Sequence, residues 1–292
     1  MPRLPVPSRA SVNGIEIALW EWPGEGPVVF FCHATGFHAR IWGQVIAHLQ
    51  ERGAERHCVA FDARGHGRSS KPVPPYAWRD FGADAAALAE SLGLNGAIGV
   101  GHSMGGHSVT LASALQPAAF AALVLFDPVI RARDQYLGPW KKTAFVAKRR
   151  NQWSSAQEMF ERFENRPPFD SWDRRVLRDY SDHALQPYGD GYILACPPEI
   201  EASIYDGSTA VESNIYPEIA SIRIPVHVVR AGRDRDPASM MGSSPTAPGL
   251  AASFARGTDT CLAQHSHFIP MESPELAAQL IIEALGHSPA LL

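Results

Sequence analysis

Apolar residues along the chain collect into short runs separated by stretches of helical character. The runs Val28 to Cys32, Cys58 to Phe61, Ala97 to Val100, Ala122 to Phe126, Val226 to Val229 and Thr260 to Leu262 have strand length, and the near absence of polar residues within them suits strands buried on both faces. Between and after them, Ile41 to Gln50, Ala83 to Leu92 (closed by Gly93), Met104 to Leu115 and Glu275 to Leu285 read as helices. Strands that alternate with helices predict an α/β domain built on a mainly parallel sheet with helices on both faces. Ahead of this series, Ser11 to Leu19 places Asn13-Gly14 between residues of strand type, which predicts an opening hairpin.

The alternation breaks at about Arg131 and resumes after Tyr216. The intervening residues are polar and aromatic, with Trp140, Phe145, Trp153, Phe160, Phe163, Trp172, Tyr180 and Tyr188 among them, and are punctuated by Pro167-Pro168 and Pro197-Pro198. The expected organisation is a core of residues 1–130 and 217–292 interrupted by a helical insertion over 131–216. Open α/β sheets bind ligands at the carboxyl ends of their strands, so the insertion is expected to form a lid there, with Trp140, Trp153 and their neighbours lining a pocket.

Composition narrows the function classes. The 292 residues are 45% hydrophobic and 19% charged, enough apolar material for a sizeable core, and the formal net charge of −4 gives no reason to expect nucleic acid or an anionic membrane as partner. One basic cluster, Lys141, Lys142, Lys148, Arg149 and Arg150, is interrupted by Phe145 and Val146 at helical spacing and reads as the solvated face of an amphipathic helix. Residues 1–10 lack the apolar core of a secretory signal, and no segment is long and apolar enough to span a bilayer, so a cytoplasmic protein is expected. Cys32, Cys58, Cys196 and Cys261 are scattered without metal-ligand spacing and suit reduced, buried thiols.

The chemistry concentrates in Gly99-Val100-Gly101-His102-Ser103-Met104-Gly105-Gly106, directly after a predicted strand and before a predicted helix. A serine at such a tight turn has a strained backbone, its neighbours must be small, and its Oγ projects outward beside the free N–H groups that open the helix. Serine is a weak nucleophile until a base takes its proton, so a histidine and an orienting carboxylate are required elsewhere. The segment Gln264 to Glu275, between the last strand and the last helix, supplies His267, with His265 as a competitor. The His-x-His pair has no partner at ligand spacing that would make it a metal site.

With Ser103 first and His267 last, the chain resembles the α/β-hydrolase fold superfamily. His267-Phe268 followed by Glu272-Ser273-Pro274 is similar to the family's histidine loop, with Ser266 where Gly is usual. His33-Ala34-Thr35-Gly36-Phe37 resembles its His-Gly oxyanion loop, with Ala34 replacing Gly. That match implies an oxyanion hole from the N–H groups of Thr35 and Met104, leaving open whether Ala34 or Thr35 supplies the first. Phe61 to Ser69 resembles the family's Asp-x-Arg-Gly-x-Gly-x-Ser turn, to which no chemistry is assigned at Asp62, Arg64 or His66. For the acid the resemblance implies Asp234 first, after the strand Val226 to Val229; Asp127, at the end of Ala122 to Phe126, and Asp236 are rivals.

The resemblance implies a lidded serine hydrolase, an esterase or lactonase on small to medium apolar substrates, needing no cofactor and no metal. Carbon–carbon bond hydrolysis and amide hydrolysis remain open on the same triad. A reading of another class is a non-catalytic receptor that holds a ligand under the lid.

Overall fold

The computed structural model describes residues 3–54, 56–139, 143–233 and 243–286. Its strands are β1 (Val6–Val12), β2 (Ile15–Trp22), β3 (Glu25–Cys32), β4 (Arg56–Phe61), β5 (Ala97–His102), β6 (Phe120–Phe126), β7 (Gln152–Trp153), β8 (Leu185–Tyr188), β9 (Gly191–Leu194), β10 (Val226–Ala231) and β11 (Gly257–Leu262). Its helices are α1 (Gly43–Glu51), α2 (Trp78–Ser91), α3 (Met104–Leu115), α4 (Ala144–Ala147), α5 (Ala156–Phe163), α6 (Arg174–His183), α7 (Pro198–Gly207), α8 (Tyr216–Ile219), α9 (Ile269–Glu272) and α10 (Pro274–Gly286).

Eight strands form one sheet in the order β1-β2-β4-β3-β5-β6-β10-β11, parallel from β4 onward and antiparallel at the β1-β2 edge. The hairpin turn places Asn13 at φ 48° and Gly14 at φ 75°, the paired left-handed conformations that an Asn-Gly turn tolerates. Successive residues of a strand point to opposite faces, and β3 feeds two cores in this way. Phe30 packs with Val59, Phe81, Leu88 and Val109, beneath α2 and α3. Phe31 packs with Trp42, Ile46, Val100 and Ile281, beneath α1 and α10. Both faces of the central strands are therefore covered, which is why the sequence shows continuous apolar runs there rather than alternation.

The segment between β6 and β10 departs from the expected all-helical insertion. Alongside α4 to α8 it contains an antiparallel sheet in the order β7-β9-β8. The tight connection Gly189-Asp190-Gly191, with Gly189 at φ 57°, folds β8 back on β9, and Tyr192 and Ile193 carry strand propensity that the helical reading overlooked. Helices α5 and α6 open on side-chain caps, Ser155 accepting from the Glu158 N–H and Asp173 from those of Arg175 and Val176.

The basic cluster does not form the expected solvated helix. Helix α4 ends at Ala147, Arg149 turns inward, and Arg150 stacks on Trp153 and pairs with Glu158. Lys141 and Lys142 lie outside the described residues. No helix among the described residues is long and apolar enough to cross a membrane.

Candidate active site

Strand β5 runs into α3 through Ser103, which sits at φ 57° and ψ −119°. The flanking glycines are sterically required. A Cβ on Gly101 would lie 2.4 Å from the carbonyl oxygen of Gly105, and one on Gly105 would lie 2.1 Å from that of Cys32 on the neighbouring strand. The turn is pinned to the next strand, since the Ser103 N–H donates to the Phe126 carbonyl at 3.1 Å and the Val129 N–H to the Ser103 carbonyl at 3.0 Å. Met104 opens α3, whose first N–H groups have no acceptor inside the helix.

His267 comes to this turn from the far end of the sequence. The Ser103 hydroxyl donates to its Nε2 at 3.0 Å, and its Nδ1–H donates to Asp127 Oδ2 at 2.7 Å. All three side chains are buried. Asp127 therefore occupies the place for which Asp234 had been the first expectation; Asp234 and Asp236 lie outside the described residues. The physical reason is strand order. Strand β6 lies directly beside β5, so the residue at its carboxyl end is one strand from Ser103, and a φ of 42° swings its carboxylate toward the histidine. The other oxygen, Oδ1, accepts from the Ala231 N–H at 3.0 Å and from the hydroxyls of Ser244 and Thr246. With Nδ1–H donated to Asp127, the ring has no further proton to give on that side.

The histidine loop is fixed from three directions. His102 Nε2–H donates to the His267 carbonyl at 2.8 Å, and burial, reinforced by the neighbouring His267, holds the His102 pKa well below the ordinary histidine value. Glu272 accepts from the N–H and hydroxyl of Ser266, from Arg233 and from Ser171 of the insertion. His265 turns away and bonds Ser273 at 2.9 Å, so it does not compete with His267.

The loop carrying Ala34 and Thr35 faces Ser103. It is propped by two neutral histidines: His33 donates from Nδ1 to the Ala34 carbonyl and accepts at Nε2 from the Ala63 N–H, while His66 accepts at Nε2 from the Gly36 N–H. Burial lowers the pKa of both. Asp62 accepts from the N–H groups of Ala39 and Arg68, and Arg64 pairs with Asp84. The turn that resembled a family motif is thus a scaffold for the loop.

A cavity of about 110 Å³ touches Ser103 and His267 and is walled by Ala34, Thr35, Phe37, Phe169, Tyr180, Phe268, Arg149, Glu201 and Tyr205. One expectation is corrected here. Trp153 does not line this cavity; it packs on Phe163 and borders a separate surface depression with Tyr188 and Tyr192, because the small sheet carries it away from the strand ends. Trp140 lies outside the described residues. Arg149 and Glu201, which sequence reasoning did not select, face the cavity as an ion pair at 2.5 Å. The only signal for either was a charge amid predicted lid sequence. Cys32 lies beside the elbow, but burial raises its pKa, leaving a protonated and poorly nucleophilic thiol. Among the described residues no group of three His, Cys, Asp or Glu side chains could hold a metal ion.

Comparison with known proteins agrees with the fold. Residues 29–280 match the model of the alpha/beta hydrolase family. The chain is 25% identical over 208 residues to 3-oxoadipate enol-lactonase 2 of Acinetobacter baylyi, covering 71% of this chain and 72% of that one. It is 24% identical over 271 residues to 2-(acetamidomethylene)succinate hydrolase of Mesorhizobium japonicum, covering 88% and 87%. A crystal structure of E-2-(acetamidomethylene)succinate hydrolase superposes with a TM-score of 0.73 at 20% identity, covering 97% and 99% of the two chains. With a sheet of eight strands, six of them parallel, a serine turn after β5 and a family match across most of its length, the chain belongs to the alpha/beta hydrolase family.

Proposed function

We propose that the protein is a serine hydrolase that cleaves carboxylic ester or lactone bonds of small substrates through an acyl-enzyme, with Ser103 as nucleophile, His267 as base and Asp127 as acid. The observation that carries this reading is the continuous relay from Ser103 Oγ to His267 Nε2 at 3.0 Å and from His267 Nδ1 to Asp127 at 2.7 Å, at the edge of a small cavity. A receptor needs a cavity but has no use for a hydroxyl aimed at a histidine whose tautomer is set by a buried carboxylate.

In the first half-reaction the Ser103 proton passes to His267 Nε2 as Oγ bonds to the carbonyl carbon, and the negative charge moves to the carbonyl oxygen. We assign its stabilisation to the N–H groups of Thr35, on the loop that shares the cavity wall with Ser103, and of Met104, the first residue of α3. Collapse breaks the bond to the leaving oxygen, which takes the proton from His267. Water then gives a proton to His267, attacks the acyl carbon, and the Ser103–acyl bond breaks with return of that proton to Oγ. The segment 131–216 would act as lid, since Phe169, Tyr180, Arg149, Glu201 and Tyr205 all come from it to wall the cavity. The enol-lactonase among the relatives supports lactones beside esters as substrates.

The test is a fluorophosphonate probe with mass mapping, run beside a panel of small esters and lactones. Labelling at Ser103, together with turnover of at least one ester or lactone that the probe abolishes, is the expected result. A protein that neither labels nor turns over any of the panel would not be a serine hydrolase.

A further inference from the structure

Beyond the Ala34–Thr35 loop and the Ser103–His267 pair, the wall of the cavity is aromatic except for one charged feature that the hydrolytic steps do not use. Arg149, from the loop after α4, and Glu201, on α7, meet there with Nη1 to Oε2 at 2.5 Å, their side chains 27% and 7% exposed. Burial holds the Glu201 carboxyl above its ordinary value although Arg149 pulls it down, while for the guanidinium burial is outweighed by Glu201 and the Tyr180 hydroxyl, which hold it in its charged form. Buried ion pairs stabilise a fold no better than well-packed apolar side chains of the same volume, so stability alone does not account for charges in this position.

Two geometric facts limit what such a pair can recognise. First, its charge is already balanced. A carboxylate on the substrate would bring an unpaired negative charge into a small space beside Glu201, and an ammonium would bring an unpaired positive one beside Arg149. Second, Glu201 borders the oxyanion loop: a Cβ on Gly36 would lie 2.7 Å from Glu201 Oε1. A substrate carboxylate that drew Arg149 away would leave the Glu201 charge uncompensated next to the place where the oxyanion forms, opposing catalysis. A neutral group avoids both penalties if it accepts from guanidinium N–H groups left over from Glu201 and Tyr180 and donates to the Glu201 carboxylate.

Resting on the hydrolase reading, we propose that the Arg149–Glu201 pair is a specificity site for a neutral substrate group that both accepts and donates hydrogen bonds, with a primary carboxamide as its closest match. A cavity of about 110 Å³ holds only a few heavy atoms, so the group is compact and close to the scissile bond.

The experiment compares kcat/KM for three isosteric ethyl esters whose acyl chains end in an isopropyl group, a carboxamide or a carboxylate, and for acetate esters with the same three termini on the alcohol side. In at least one series the carboxamide is expected to lead the isopropyl ester by tenfold or more and the carboxylate ester by more still. Glu201→Gln leaves the guanidinium unbalanced and should shift the carboxylate-to-carboxamide ratio at least tenfold toward the carboxylate. Arg149→Met should bring the carboxamide-to-isopropyl ratio close to one. Should either variant fail to fold, the wild-type order decides by itself. Equal rates, or a lead for isopropyl or carboxylate in both series, overturn the proposal. Labelling of Ser103 by the fluorophosphonate probe separates the two readings: labelling without a carboxamide lead sinks the specificity site and spares the nucleophile, whereas neither labelling nor turnover sinks both.

Discussion

Two adjacent turns hold a non-glycine residue in left-handed backbone, and they reach that conformation by different means. After β5, Ser103 is surrounded by glycines because backbone passes within van der Waals reach on two sides. After β6, Asp127 at φ 42° is followed by Pro128 and held by its own carboxylate, which engages Ala231, Ser244, Thr246 and His267. Steric crowding leaves its signature in neighbouring residue types. A hydrogen-bonded anchor leaves its signature on residues about a hundred positions away, where only the folded chain brings them together.

The largest expected effects test whether the two turns serve one reaction. Ser103→Ala should fold normally and lose turnover by on the order of 10⁴ to 10⁶, and Asp127→Asn should lose about 10⁴. Asp234→Asn should stay within a few-fold of wild type. Steady-state kinetics with thermal melts as a folding control decides this; a silent Asp127→Asn beside a dead Asp234→Asn would return the acid to the loop after β10.

Stability separates the turns next. Gly105→Ala drives a Cβ to 2.1 Å from the Cys32 carbonyl oxygen, and the expected loss exceeds about 4 kcal/mol or abolishes folding. Pro128→Ala, on the other turn, frees the unfolded chain and trims a buried ring beside Gly106, and should cost about 1 to 2 kcal/mol. Urea unfolding measures both. Comparable losses would mean that the crowding at the elbow can be relieved by backbone movement.

Acid should act through the elbow's helix. His107 on α3 is fully buried and donates to the Ser213 carbonyl, and burial pushes its pKa down to about 4 from an ordinary 6.5. Between those values the unfolded chain binds a proton that the folded chain refuses. This contribution is therefore whole above pH 6.5 and is lost as pH falls toward 4, by on the order of 3 kcal/mol in total. Unfolding free energies across pH 4 to 7 should show a steeper slope for wild type than for His107→Gln, and parallel slopes would remove His107 as the cause.

The smallest effect isolates strain. Ser103→Gly trades a strained φ for a more flexible unfolded chain, and the balance of those terms is a gain of up to about 1 kcal/mol in an inactive protein. Asp127→Gly should not share that gain, because it strips the Ala231 N–H and His267 of their acceptor. A stabilised Asp127→Gly would show that the second turn is held by strain like the first.

What the sequence made legible follows the same division. The six apolar runs, the Asn13-Gly14 hairpin and the Ser103 elbow rest on local residue types, and each coincides with an element within a few residues of its expected limits. The small sheet of β7, β8 and β9 was hidden because Leu185 to Leu194 is short, mixed in polarity and interrupted by Pro187 and Gly189. That Asp127 comes within hydrogen-bond reach of His267 follows from the order of strands, which no local pattern encodes. Arg149 and Glu201 were missed for a related reason: fifty-two positions separate them, and each alone resembles an ordinary surface charge.

The hydrogen bond between Ser103 and His267 joins residues 164 positions apart, and that to Asp127 spans 140. Contacts of such range form late, after local helices and hairpins have condensed. During refolding, helical signal should therefore return well before hydrolytic activity. A chain caught halfway, or one whose last strand has come loose, carries the serine without its base and does no chemistry on whatever ester it meets.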